Sequence, residues 1–114
     1  MDKMGREAII SIGSNVPDKR ERVEKACEEL KNRFYSFQVS SIYTTPAVGR
    51  CAGQPDYCNA VARFSTTDDY ETLRLFFKTM ESDYGRVRHS DAVALIPLDI
   101  DCLLYTSDAA DDLI

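Results

Sequence analysis

The order of strand-like and helix-like segments along the 114 residues predicts an α+β fold, with two helices packed on one face of a single antiparallel sheet. Two segments repeat apolar residues at helical spacing, and four others are short apolar or alternating runs bounded by turn residues. Their order is β-α-β-β-α-β. This is the ferredoxin-like, split βαβ arrangement.

The first strand and the first helix are predicted near the start of the chain. Residues 7–12 form a short apolar run, and Gly13-Ser14-Asn15 is expected to turn the chain towards the helix. The helix is predicted over residues 18–33, where Asp18 followed by Glu21 resembles a capping box. Apolar residues recur there at helical spacing: Val23, Ala26, Cys27, Leu30 and Phe34.

Two strands and a long loop are predicted in the middle of the chain. Residues 37–45 alternate in a β-rich pattern that stops at Pro46, because proline cannot donate to a strand ladder. Residues 46–56 contain two prolines and two glycines and predict a loop long enough to shape a pocket. Residues 57–66 are predicted to form the third strand.

The second helix and the last strand are predicted from residue 68 onwards. Asp68 and Glu71 repeat the capping arrangement, and Gly85 is expected at the position just after the helix. One apolar face is marked by Tyr70, Leu73, Phe77, Met80 and Tyr84. After a polar turn, residues 94–105 alternate apolar and acidic side chains, as expected of a strand with one buried face.

Composition bounds the class of protein. The chain is one domain in length, and its net charge of -5 with no block of Lys or Arg argues against a general nucleic-acid binder. The spacing of the four cysteines fits neither a metal pair nor a disulfide framework, so free thiols are expected. No apolar run is long enough for a signal peptide or a membrane helix, which predicts a soluble cytoplasmic protein.

An acidic pair on the last predicted strand is the first candidate site. Asp99 and Asp101 would point to the same face with Cα atoms about 6 to 7 Å apart, a spacing that can chelate a hard cation. Mg²⁺ with a phosphate substrate fits this pair, since magnesium takes one or two protein carboxylates and completes its shell with phosphate and water. The alternative is that both acids decorate a solvated sheet face.

Basic residues follow the second helix. Arg86 and Arg88 could hold a polyphosphate near the acidic pair, although cations are also common at helix C-termini for dipole reasons. His89 is the single histidine and is expected to have an ordinary surface role. Tyr57 and Asn59 place an aromatic ring near an amide, which suits a flat heterocycle, while the alternative is an asparagine that closes a turn.

Five short motifs occur together in one order. They are IGSN at 12–15, SSIYTTPAVG at 40–49, QPDYCNAV at 54–61, GRVR at 85–88 and LDID at 98–101. In this register, over roughly residues 7–105, the chain resembles the 6-hydroxymethyl-7,8-dihydropterin pyrophosphokinases, a family of folate biosynthesis. The resemblance implies Mg²⁺-dependent transfer of a pyrophosphoryl group from ATP to the hydroxymethyl oxygen of the pterin, with release of AMP and no covalent enzyme intermediate.

The resemblance also implies roles for individual residues. Asp99 and Asp101 would hold two Mg²⁺ ions and, with Arg86, form the catalytic set. The pterin would be bound by Thr45, Pro46, Val48, Tyr57 and Asn59. ATP would be bound by Lys78, Glu81, Arg86 and Arg88.

The chain also departs from the family pattern. Val93 and Ile96 stand in a stretch where the family commonly has an aromatic residue and an arginine. Residues 102–112 resemble the translation of a transposon adapter, so a single domain over 1–105, incomplete at its C-terminus, and a non-native tail over 106–114 are expected.

Two other hypotheses about the function remain open. One is a non-catalytic ferredoxin-like module that binds a ligand, since fold alone does not fix function. The other is an inactive truncated fragment. The expected partners are the small molecules ATP and the pterin, with neither nucleic acid nor membrane. The sequence leaves the oligomeric state open, and a monomer is the default expectation.

Overall fold

A computed structural model of the chain describes residues 5–46, 55–86 and 95–106, together with the backbone of 111–112. The elements follow in the order β1 (Arg6–Ser14), α1 (Lys19–Arg33), β2 (Tyr35–Val39), β3 (Tyr43–Thr45), β4 (Tyr57–Thr66), α2 (Tyr70–Asp83), β5 (Asp99–Thr106) and β6 (Asp111–Asp112). This order confirms the predicted one. The predicted second strand is divided into β2 and β3, and the two-residue β6 lies in the tail.

The sheet has the strand order β2-β4-β1-β5-β6, with β3 paired to β4. Every pairing is antiparallel. The first strand of the chain therefore lies in the centre, flanked by the third and the last of the predicted strands. This is the strand order of the ferredoxin-like class, and it confirms the α+β prediction.

One hydrophobic core lies between the sheet and the two helices. Alternate residues of β1 are fully buried, namely Ala8, Ile10 and Ile12. They share a core with buried side chains of both helices: Val23, Ala26 and Leu30 from α1, and Leu73, Phe77 and Met80 from α2. Because strand side chains alternate between faces, the residues between these core positions lie on the opposite face of the sheet.

The break between β2 and β3 has a side-chain cause. Ser40 N–H donates to the Val61 carbonyl (2.8 Å), but Val61 N–H donates to the Ser40 hydroxyl (3.0 Å). The hydroxyl thus replaces a backbone carbonyl in the ladder, and the prediction of one uninterrupted strand over residues 37–45 is wrong at this point.

Both predicted helix caps need correction. Asp18 is the N-cap residue of α1, but its side chain makes no capping hydrogen bond and instead accepts from Arg22 Nε at 3.0 Å. The N-cap of α2 is Asp69, whose carboxylate accepts from Thr72 N–H at 2.8 Å. Hydrogen bonds with the backbone and with the side chain of Thr72 lower the pKa of Asp69. The predicted cap Asp68 is instead paired with an arginine of α1.

Two smaller predictions concern the helix end and the cysteines. Gly85 follows α2 with φ of 100°, as expected of a glycine that ends a helix in the left-handed region. Cys27, Cys58 and Cys102 are free thiols, as predicted, and Cys51 lies outside the described residues. Within the ranges that the structure covers, neither helix is long and apolar enough to cross a membrane.

Candidate active site

One row of residues runs across four strands of the sheet. Tyr43 of β3 lies opposite Asn59 of β4, Asn59 lies opposite Gly13 of β1, and Gly13 lies opposite Asp99 of β5. Directly opposite residues share a face, so this row lies on the face remote from the helices. Neighbouring strands are about 4.8 Å apart, which places the backbones of β4 and β5 about 10 Å from each other. The predicted pterin amide and the predicted metal pair therefore share one face.

The acidic pair sits at the start of β5. Asp101 lies opposite Ser11 and follows Asp99 on the same face. The pKa of Asp101 is raised, first by partial loss of water, then by the negative charges of Asp99 and Glu81 and a hydrogen bond with Asp99, and Arg86 opposes these effects. A carboxylate whose pKa is raised by neighbouring negative charges favours a nearby cation.

Arg86 is held over Asp99 immediately after α2. Its Nη1 donates to Asp99 Oδ1 at 2.8 Å and to the Leu98 carbonyl at 3.4 Å, and it lies 3.5 Å from Glu81 Oε1. The chain reaches this position because Gly85 turns at the helix end and Arg86 N–H donates back to the Glu81 carbonyl at 3.0 Å. The arginine is mostly buried, with 17% of its side chain exposed.

Glu81 is buried between α2 and β5. It is 4% exposed, and its Oε2 accepts from Ile100 N–H at 2.8 Å. The family resemblance implies an ATP-binding role for this residue, and the structure shows its carboxylate engaged with Arg86 and the backbone of β5. A signal was present in the sequence, since Glu81 lies four residues after Phe77 on the apolar face of the helix.

A groove of about 520 Å³ lies between α2 and β5. Five residues predicted for ATP, metal or catalysis line it: Lys78, Glu81, Arg86, Asp99 and Asp101. Apolar side chains, among them Leu73, Phe77 and Ile100, form other parts of its wall. Its volume lies in the range of small-molecule sites. The structure therefore brings together the described residues of the predicted phosphate side of the site.

The described residues that are predicted to bind the pterin lie close together on β3 and β4, at the other end of the row. Asn59 Nδ2 donates to Thr45 Oγ1 at 2.7 Å, and Tyr57 lies opposite Thr45 in the β3–β4 ladder. Asn59 lies inside β4, so the alternative of an asparagine that closes a turn is wrong. Pro46 directly follows β3.

Several predicted positions lie outside the described residues. They are Val48, Arg88, His89 and Val93, with most of the predicted loop 46–56 and of the turn 86–91.

The chain before β5 is anchored by residues that were expected to form a turn. Gly13 and Ser14 belong to β1, so the turn prediction is wrong for these two. Asn15 is fully buried, its N–H donates to the Ile96 carbonyl (3.0 Å), and its Oδ1 accepts from Ile96 N–H (2.6 Å). This pair of bonds fixes the segment that leads into Asp99. Only the fold could reveal it, since the partners are 81 residues apart.

Gly13 is required by the position of Asn59. A Cβ on residue 13 would lie 2.8 Å from Asn59 Oδ1, closer than real Cβ contacts allow. We expect Gly13→Ala to displace the Asn59 amide and break its bond with Thr45, with an increase of about tenfold or more in the Kd of a bound pterin. Fluorescence titration with the pterin measures this. Ser11→Ala, on the same face of β1, is the control, and an unchanged Kd in Gly13→Ala would contradict the role assigned to the glycine.

The donor set at the acidic pair fits Mg²⁺. Asp99 and Asp101 supply two carboxylates on one face, and among residues 5–46, 55–86 and 95–106 no group of three or more His, Cys, Asp or Glu side chains is placed to hold a metal. Two carboxylates are what magnesium takes from a protein when phosphate and water fill its remaining positions. The pair is therefore suited to a metal that arrives with a phosphate ligand.

Fold and site together define a two-layer α+β domain of the ferredoxin-like class, with its acidic pair beside a groove at the edge of the sheet. The model of one protein family, described as 7,8-dihydro-6-hydroxymethylpterin-pyrophosphokinase (HPPK), matches residues 9–113. The chain belongs to this family, whose members are transferases of the diphosphokinase type, and the resemblance stated from the sequence is confirmed.

Curated relatives agree with this assignment. A 2-amino-4-hydroxy-6-hydroxymethyldihydropteridine pyrophosphokinase of Haemophilus influenzae is 34% identical over 106 residues, which cover 89% of this chain and 63% of that protein. A folate synthesis bifunctional protein of Arabidopsis thaliana is 30% identical over 102 residues, covering 87% of the chain and 20% of that protein. A mitochondrial folate synthesis bifunctional protein of Pisum sativum is 29% identical, covering 87% and 19%. The chain thus spans less than two thirds of the length of each.

Proposed function

We propose that this protein transfers a pyrophosphoryl group from ATP to 6-hydroxymethyl-7,8-dihydropterin, in a Mg²⁺-dependent reaction that releases AMP and serves folate synthesis. The observation that carries the proposal is the row across the sheet, in which Asn59 and Asp99 lie on one face with Asp101 beside it. Transfer between two bound molecules requires that their reacting groups be held next to each other. A heterocycle at β4 and a polyphosphate at β5 would meet this requirement.

The pterin half of the site would be formed around β3 and β4. Asn59 would read the heterocycle through its amide, held in place by Thr45. Tyr57 would offer an aromatic surface beside it, and Pro46 and Val48 would line the pocket. Paired donors and acceptors orient a flat heterocycle more strictly than apolar contact does, and this fixes the direction of its hydroxymethyl group.

The phosphate half would be formed by the groove between α2 and β5. Lys78, Arg86 and Arg88 would bind ATP phosphates through charge-assisted hydrogen bonds. Asp99 and Asp101 would hold two Mg²⁺ ions, which supply charge neutralisation on the phosphate oxygens when bound. Glu81, which is bonded to Arg86 and to the backbone of β5, would contribute to ATP binding by keeping both in position.

The proposal is tested by measuring AMP formation from ATP by the purified chain with Mg²⁺, with and without the pterin. We expect AMP to form only when both the pterin and the metal are present, with no AMP after chelation by EDTA. Two results would count against the enzyme. Pterin binding without AMP from a folded chain supports the binding-module alternative, and neither binding nor AMP supports an inactive fragment.

Other sequence predictions stay predictions. These are a cytoplasmic location, a monomer, a domain boundary at residue 105 and a non-native tail over 106–114. Residues 111–112 pair with β5, and the family match extends to residue 113. An uninterrupted native reading frame in the genomic DNA that encodes this tail would refute its foreign origin.

A further inference from the structure

The guanidinium of Arg86 lies where oxygen atoms from three residues converge, one on α2 and two at the start of β5. A single nitrogen, Nη1, contacts Asp99 Oδ1 at 2.8 Å, the Leu98 carbonyl at 3.4 Å and Glu81 Oε1 at 3.5 Å. The other guanidinium nitrogens have no hydrogen-bond partner among the described residues. Because a guanidinium carries five N–H donors, most of its donor capacity is left for another acceptor.

The electrostatic environment of the Arg86 guanidinium favours a positive charge. Two carboxylates, those of Glu81 and Asp99, lie within 3.5 Å of Arg86 Nη1, and Asp101 follows Asp99 on the same face of β5. Like charges at such short range repel each other unless a positive charge stands between them. Arg86 supplies that charge, and only 17% of its side chain is exposed, so water screens the interaction weakly.

A metal ion and Arg86 compete for the same carboxylate. When Asp99 binds a divalent cation, its hydrogen bond with Arg86 is weakened. A metal that arrives alone takes from Arg86 the closer of its two carboxylate partners, in a mostly buried place, which is costly. A metal that arrives with a polyphosphate compensates for this, because phosphate oxygens accept from a guanidinium in bidentate geometry.

We propose that Arg86 is a placeholder for the metal: it occupies the acidic site in the absence of nucleotide, and so makes metal binding depend on a polyphosphate that accepts the arginine. The inference rests on the proposed function and adds a specificity role for Arg86. By linkage, the nucleotide then raises metal affinity as much as the metal raises nucleotide affinity. The site thereby selects the metal–nucleotide complex over the free ion.

Mn²⁺ binding to nucleotide-free protein, followed by electron paramagnetic resonance, tests the proposal. We expect Arg86→Gln to bind Mn²⁺ about tenfold more tightly than the wild-type protein, because the competing charge is gone. Arg63→Gln is the matched control, since Arg63 also pairs with a carboxylate (3.1 Å to Glu7 Oε2) but lies on β4, away from the acidic pair. It removes the same charge and is expected to leave Mn²⁺ affinity unchanged.

The possible results separate this inference from the proposed function. Equal or weaker Mn²⁺ binding by Arg86→Gln overturns the placeholder role, whatever the wild-type protein does in the AMP assay. Mn²⁺ binding that survives Asp101→Asn shows that the ion sits elsewhere, and this counts against the metal site of the proposed function as well. Pterin-dependent AMP formation by the wild-type protein, together with unchanged Mn²⁺ affinity in Arg86→Gln, rules out the placeholder role of Arg86 and leaves the proposed function standing.

A second measurement uses the wild-type protein, so that a folding defect in Arg86→Gln cannot decide the matter. The side-chain ¹⁵Nε resonance of Arg86, assigned with Arg86→Lys, is followed during a Mg²⁺ titration. We expect it to move at the Mg²⁺ concentrations that saturate the site, because the guanidinium leaves Asp99. A resonance that stays in place at saturation contradicts the proposal.

Discussion

Asp101→Asn is expected to reduce pterin-dependent AMP formation by at least about a thousandfold, because the variant loses one of the two carboxylates that would hold the metal. The same change is expected to leave the metal-free protein as stable as the wild type or more stable. The Asp101 carboxylate makes no ion pair with any described cation, and it is repelled by Asp99 and Glu81. Loss of activity without loss of stability would identify a functional carboxylate.

Steady-state AMP formation and a thermal unfolding curve measure the two effects. Glu7→Gln is the control, since Glu7 is an exposed carboxylate on the same face of the neighbouring strand β1, at the end of the sheet remote from Asp99. It is expected to keep full activity. If Asp101→Asn retains more than about one tenth of the wild-type rate, the metal role assigned to the acidic pair is wrong.

Glu81→Ala has the largest expected effect on stability. The variant leaves the Ile100 N–H without its acceptor and Arg86 without one of its carboxylates. An unsatisfied buried donor costs about 1 to 3 kcal/mol, while relief of the repulsion between Glu81 and Asp101 offsets a part of this. We therefore expect the free energy of unfolding to fall by about 2 kcal/mol. Urea denaturation of the metal-free protein measures it.

Two variants show whether the hydrogen bond is the cause. Glu81→Gln keeps an oxygen that can accept from Ile100 N–H, so it should be closer to the wild type than Glu81→Ala. Glu71→Ala removes an exposed carboxylate that pairs with Arg74 in the first turn of the same helix, and it should change the urea midpoint little. Glutamine and alanine variants of equal stability at position 81 would rule out the bond to β5 as the stabilising contact.

The sequence by itself determined the elements and their order. Both helices were predicted from apolar residues at helical spacing, and the end of α2 from Gly85. These features depend on neighbours within a few residues, so a local pattern contains the necessary information. The strand order then followed from the sequence order, because a β-α-β-β-α-β chain has few ways to bury its apolar faces.

The candidate site could be predicted only in part. The resemblance placed Asn59, Asp99 and Arg86 on the list of site residues, but no local pattern indicates that Asn59 and Asp99 share one row with Gly13 between them. That row follows from the register of three strands. The requirement for glycine at position 13 comes from the same register, since it is set by the Asn59 side chain on the next strand.

Only the tertiary structure decided which of several similar residues takes each role. Asp68 and Asp69 are adjacent acids, and Asp69 caps α2 because Asp68 is drawn to Arg33, 35 residues away. Glu81 is buried because the β5 backbone offers it Ile100 N–H, 19 residues later in the chain. Side chains of the same chemistry compete for distant partners, and that competition is settled by how the sheet and helices pack rather than by the pattern of neighbours in the sequence.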